Sequence, residues 1–117
     1  MICGLDRQFL AKPLAHRGLH SEKTGILENS QSAFAAAIEK GYGIELDLQL
    51  SADGQAMVFH DDTLDRMTSH QGLVRNHTAE SLERMALKQS DDCILPLAAL
   101  LQQVSGWVPL LIELKDQ

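Results

Sequence analysis

The sequence predicts a single α/β domain, and three observations predict it. Short apolar runs of strand length alternate with segments whose apolar residues recur at helical spacing, in the order strand, helix, strand hairpin, helices, strand. Each strand-like run carries charged residues within it or at its end: Leu14-Ala15-His16-Arg17-Gly18, Ile44 to Leu50 with Glu45 and Asp47, Ala56 to Phe59 running into His60-Asp61-Asp62, and Val108 to Leu114 with Glu113 and then Lys115. Charges gathered at strand ends are how barrel and open-sheet enzymes build sites. Finally, 117 residues, 44% hydrophobic and 4% aromatic, leave room for one small domain, or part of one, with a modest core.

The first strand is Pro13 to His16, bounded by Gly18, which permits a sharp exit that a Cβ would resist. Leu19 to Leu27 is a loop containing Gly25. Asn29 or Ser30 caps a helix over residues 31–40, with Phe34, Ala37, Ile38 and Ala33 as its inward stripe and Gly41 at its stop. In the next strand Ile44, Leu46, Leu48 and Leu50 point one way and Glu45, Asp47 and Gln49 the other. Ser51-Ala52-Asp53-Gly54 turns the chain into an antiparallel hairpin with Ala56 to Phe59. The polar stretch Asp61 to Leu73 is long enough to be functional rather than a connector.

Thr78 caps a second helix that buries Leu82, Met85 and Ala86, with Glu83 and Arg84 solvated. Residues 88–93 are a loop. Leu97, Leu100, Leu101 and Val104 then mark a third helix started by Pro96 and ended by Gly106, and Val108 to Leu114 is the last strand. No linker, repeat or low-complexity tract divides residues 1–117, so one domain is expected.

The net charge is −6 with scattered Lys and Arg, which argues against a nucleic-acid surface. An anionic small substrate is still admissible, because a few local cations or a metal reverse the sign inside a cleft. Cys3 and Cys93 form no Cys-x-x-Cys pair and read as free thiols in a reducing compartment. Residues 1–12 place Asp6, Arg7 and Gln8 where a secretory signal has its apolar centre, and no run approaches the ~20 apolar residues of a membrane span. A cytoplasmic protein is expected.

Glu45 and Asp47 are hard oxygen donors on one face of one strand and can reach the same divalent cation, with Glu113 as a third; Mg²⁺ or Ca²⁺ suits them better than zinc. A solvated strand face produces the same Glu-x-Asp pattern. His16 and Arg17 join a titratable ring to a guanidinium that grips phosphate through two oxygens, and His60 adds a second ring. Two histidines beside a metal and an arginine form the pattern of general acid and base around a phosphoryl centre. A lone strand-end histidine is more often structural. His20, His70 and His77 are expected to be solvent-exposed, and Lys115 either neutralises a phosphate oxygen or is solvated.

Together, His16-Arg17-Gly18, Glu28-Asn29-Ser30, Ala33-Phe34, Ala37-Ile38, Gly41, Ile44-Glu45-Leu46-Asp47, Asp53-Gly54, Val58-Phe59-His60-Asp61, Thr63-Leu64-Asp65-Arg66, Thr68 and Ile112-Glu113-Leu114-Lys115 resemble the glycerophosphodiester phosphodiesterase family, in order and spacing from residue 13 onward. The resemblance implies a TIM (β/α)₈ barrel, here truncated to roughly its first half, since a full barrel takes ~250 residues. It also implies Glu45, Asp47 and Glu113 as metal ligands, His16 and His60 as acid and base, and Arg17 and Lys115 as phosphate contacts. Glu28 and Asn29 are read as holding the first loop, with substrate contact as the alternative, and Asp61 as orienting the His60 ring. Ser30 stands where the family commonly has Thr, and the proline of Leu95-Pro96-Leu97 is shifted by one, which puts the helix start in doubt but not the chemistry.

The implied reaction is metal-dependent hydrolysis of a glycerophosphodiester to glycerol 3-phosphate and an alcohol, a step of glycerophospholipid metabolism. A lysophospholipase D-like lipid phosphodiesterase is the alternative within enzymes. The alternative outside them is an inactive half barrel that binds a cation or partner at most, and whose open edges favour self-association.

Overall fold

The computed structural model describes residues 13–115 apart from Glu22. Its elements are strand β1 (Leu14–His16), helix α1 (Gln31–Lys40), strands β2 (Gly43–Leu50) and β3 (Ala56–Val58), a 3₁₀ turn (Val74–Asn76), helix α2 (Ala79–Glu83), strand β4 (Leu95–Pro96), helix α3 (Leu97–Val104) and strand β5 (Leu110–Leu114). Cys3 lies outside the described residues; Cys93 is a free, half-buried thiol. Among the described residues no helix is long and apolar enough to cross a membrane.

The centre of the fold is β2. On one edge it pairs in parallel with β1, Ala15 opposite Ile44 and His16 opposite Glu45; on the other it pairs in parallel with β5, Asp47 opposite Glu113. Because β1 is only three residues long, the rest of its edge is free for another partner. The Glu45 carbonyl takes the Arg17 N–H at 2.8 Å, and two residues on, along the same edge, the Asp47 carbonyl takes the Phe59 N–H at 3.1 Å. The hairpin predicted at Asp53-Gly54 therefore returns as β3, antiparallel to β2 with Leu50 opposite Ala56, and β4 pairs outside it.

Alternation along β2 sends Ile44, Leu46 and Leu48 into a core with Ala15, Phe34, Ala37, Val58, Leu100, Val104 and Val108, so α1 and α3 cover that face. The two helices are also tied by Gln103 Nε2 donating to the Gln31 carbonyl at 3.0 Å. Phe34 is fully buried, and truncating such a side chain to Ala costs about 3–5 kcal/mol. A second core, built on Phe59, Leu64, Met67, Val74, Leu82 and Ile94, holds together the excursion between β3 and β4.

Ser30, not Asn29, caps α1: its Oγ accepts from Ala33 N–H at 3.1 Å, and Gly41 (φ 72°) closes the helix. Thr78 caps α2 as expected, but that helix ends at Glu83; Met85 is buried beyond it, whereas Ala86 is exposed and makes an isolated bridge to Cys93. Pro96 belongs to β4 and precedes α3, whose inward residues are Leu100 and Val104 while Leu101 is exposed. The last strand starts at Leu110 rather than Val108. Its apolar residues Leu111, Ile112 and Leu114 are exposed, because among the described residues β5 pairs only with β2 and no helix covers it.

Candidate active site

Parallel register puts Glu45 and Asp47 of β2 and Glu113 of β5 on one face of the sheet. Each offers a carboxylate oxygen within 4.8 Å of the others. Asp47 is completely buried. That burial is tolerable because one hydrogen bond and two positive charges surround it: Asn29 Nδ2 donates to Oδ2 at 3.2 Å, while Arg17 Nε, 3.4 Å from Oδ2, and Lys115 Nζ, 3.7 Å from Oδ1, pair with it as charges. Lys115 also stands 3.9 Å from Glu113 Oε1. Burial, then the charges of Asp47 and Glu113, push the Glu45 carboxyl above the usual range, against the Arg17 N–H that donates to its Oε1 at 3.3 Å and His16, whose Nε2 is 3.9 Å away. The charged face of β2 is thus not a solvated edge.

The donor set fits a hard divalent cation. Three carboxylates converge, Glu45 ionises reluctantly without a counter-charge, and the buried Asp47 Oδ1 accepts no hydrogen bond among the described residues.

The turn after β1 delivers Arg17, while Lys115 follows β5. Arg17 takes a left-handed conformation (φ 57°), and Gly18 follows at φ 80° with its α-carbon so close to α1 that a Cβ would lie 2.7 Å from Ala33 Cβ. The expected sharp exit at Gly18 is therefore required by backbone angle and by packing. Arg17 Nη1 donates to Glu28 Oε2 at 3.1 Å, so Glu28 and Asn29 both brace the site.

His60 leaves β3 on the second loop. Its Nδ1 is 2.8 Å from Asp61 Oδ1, the partner expected to orient the ring. Arg66, quoted in the motif but given no role from sequence, bonds both Asp61 and Glu28. His60 is tied to the carboxylate group through Asp61, Arg66, Glu28 and Arg17 in turn, whereas His16, Arg17 and Lys115 touch it directly. Gln49, buried on the same face as Glu45 and Asp47, was also missed: its Nε2 donates to the carbonyls of Phe59 and Asp61 at 3.0 and 2.7 Å and pins the His60 loop. Its place two residues beyond Asp47 was the available signal. His20 and His70 are exposed as expected, but His77 is half-buried.

The model of the glycerophosphoryl diester phosphodiesterase family matches residues 16–117. The chain belongs to this family. A glycerophosphodiester phosphodiesterase of Caldanaerobacter subterraneus is 42% identical over 73 residues, covering 62% of this chain and 29% of the relative; one of Bacillus altitudinis is 45% identical over 76 residues, covering 64% and 30%. Among solved structures, the glycerophosphodiester phosphodiesterase of Agrobacterium tumefaciens superposes with a TM-score of 0.80 at 32% identity, covering 90% of this chain and 47% of that one. A phosphodiesterase of Oleispira antarctica in complex with its product sn-glycerol-3-phosphate gives 0.80 at 27% identity, covering 92% and 47%. The chain thus has the fold of part of the family's TIM barrel and spans under half the length of these structures.

Proposed function

We propose that the chain carries the metal- and phosphate-binding part of a site that hydrolyses glycerophosphodiesters to glycerol 3-phosphate and an alcohol, within glycerophospholipid metabolism in the cytoplasm. The observation that carries this reading is the convergence of Glu45, Asp47 and Glu113 beside Arg17 and Lys115. Family membership and the glycerol phosphate bound to a solved relative support it.

Glu45, Asp47 and Glu113 would hold Mg²⁺ or Ca²⁺, which when bound supplies Lewis acidity at a nonbridging phosphate oxygen. Arg17 and Lys115 offset the phosphate's charge and fix its orientation. The His60 ring, with Nδ1–H donating to Asp61, presents Nε2 as a proton carrier; His16 presents the second. One ring takes the proton from the attacking hydroxyl as its oxygen bonds to phosphorus; water gives glycerol 3-phosphate directly, whereas the glycerol 2-hydroxyl gives a cyclic phosphate that a water then opens in a second step. The phosphorus–oxygen bond to the alcohol breaks, and the other ring protonates that oxygen.

Hydrolysis of glycerophosphocholine by this 117-residue chain, abolished by EDTA and restored by Mg²⁺ or Ca²⁺, is the test. Activity that survives EDTA, or is unchanged in Glu45→Gln, defeats the reading. Preference for lysophosphatidylcholine over glycerophosphocholine would favour the lipid phosphodiesterase instead.

A second reading, self-association, is favoured by β5: Leu114 is 76% exposed and borders an apolar groove with Leu48, Leu50 and Ala56. A monomer in sedimentation at micromolar concentration would dismiss it.

A further inference from the structure

The guanidinium of Arg66 lies between two carboxylates that come from distant parts of the chain. Nε donates to Asp61 Oδ2 at 2.8 Å and Nη2 to Asp61 Oδ1 at 3.0 Å; Nη1 donates to Glu28 Oε1 at 3.0 Å and Nη2 to Glu28 Oε2 at 2.9 Å. Each carboxylate holds a second group, Asp61 the His60 ring at 2.8 Å and Glu28 the Arg17 guanidinium at 3.1 Å. We infer that Arg66 is a positioning residue, which locks the tautomer of His60 through Asp61 and the orientation of Arg17 through Glu28. The inference rests on the roles just proposed for His60 and Arg17.

The geometry is specific to arginine. Two forks of a planar group meet two carboxylates, an arrangement a lysine ammonium cannot reproduce because it is a point charge on a flexible stem. Arg66 is nearly half exposed, yet its side chain is engaged by four hydrogen bonds. Ordering a long side chain at the surface costs entropy, which bidentate pairing on both sides offsets. Asp61 is ionised at neutral pH with or without Arg66, and an ionised carboxylate can only accept; what the fork fixes is the direction of that carboxylate, with Oδ1 held 2.8 Å from His60 Nδ1. The His60 proton therefore sits on Nδ1, and Nε2 keeps the lone pair that proton transfer needs.

Two measurements on the 117-residue chain test this. The first is the two-bond proton–nitrogen NMR correlation of the His60 ring at neutral pH. The wild type should show protonated Nδ1 and bare Nε2, and Arg66→Gln and Arg66→Lys should both show a mixture of tautomers. A wild-type ring protonated on Nε2, or a ring signature unchanged in both variants, overturns the inference without reference to activity. The second is kinetics with glycerophosphocholine and Mg²⁺: kcat should fall about tenfold to hundredfold in both variants with KM changing much less. Full kcat in Arg66→Lys would show that charge alone suffices and overturn the role assigned to the fork. If the wild type turns over no substrate, the proposed function fails, and the ring measurement still decides whether Arg66 sets the tautomer.

Discussion

Arg17 and Asn29 hold one another in left-handed backbone: φ is 57° and 53°, and the Asn29 N–H donates to the Arg17 carbonyl at 2.7 Å. Both side chains then reach the same oxygen, Asp47 Oδ2. Strained residues persist only where their surroundings over-determine them, and here the strain places one hydrogen-bond donor and one guanidinium charge on a buried carboxylate. Asparagine tolerates this conformation better than most residues with a Cβ.

Asn29→Ala should therefore cost about 2–3 kcal/mol, by leaving Asp47 short of a donor and by removing a residue suited to positive φ. Asn29→Gly loses the same donor but not the backbone tolerance, so it should be the milder of the two. Urea unfolding of both variants separates the contributions; equal losses would mean that the backbone carries no strain.

Gly18→Ala should be among the most damaging single-atom changes, at about 2–4 kcal/mol, because a methyl at φ 80° would also lie 2.7 Å from Ala33 and 3.0 Å from Phe34. Thermal melts read the loss directly. A decrease of only a degree or two would mean that α1 can move away from the turn.

Glu45→Gln should separate stability from metal affinity. A carboxyl whose pKa is raised in the fold is least favourable when ionised, so it destabilises the metal-free chain above that pKa and the cost disappears as pH falls through it. The variant should therefore melt higher than the wild type in EDTA at neutral pH, and lose the upward Tm shift that millimolar Mg²⁺ or Ca²⁺ gives the wild type. Retention of that shift would remove Glu45 from the ligand set.

Acid should weaken the loop network in a defined window. Hydrogen bonds from Arg66 bring Asp61 from 3.8 to about 2, against burial. Burial works to raise Glu28, but Arg66 and Arg17 outweigh it and hold it below its ordinary value. Depressed carboxylate pKa values give stability that is present above pH ~4 and lost as pH falls through the folded values. Acid titration followed by circular dichroism should show that loss in the wild type and a shallower slope in Asp61→Asn.

Much of this was legible in the sequence. Residues 31–40 combine a helical stripe with a cap at one end and glycine at the other, and β2 alternates without interruption, so the side-chain directions of Glu45 and Asp47 followed from period alone. What escaped has physical causes. Asn29 and Ser30 are equally good capping types, and only tertiary structure shows that the Asn29 side chain is claimed by Asp47. β4 is two residues long, too short to have a period. Arg66 and Glu28 are 38 residues apart, and no local pattern announces such a pairing.

One edge of β2 is shared end to end by β1 and β3, and this makes the strand a splice between the parallel wall and the lobe that grows from it. Deleting the single residue between Glu45 and Asp47 would turn the rest of β2, Asp47 to Leu50, to the opposite faces and with it the register on which β3 and the lobe are hung. Extra length in the exposed bend at 69–72, by contrast, would leave the splice untouched. Natural variation in the size of this lobe should accumulate at that bend and stop short of the splice.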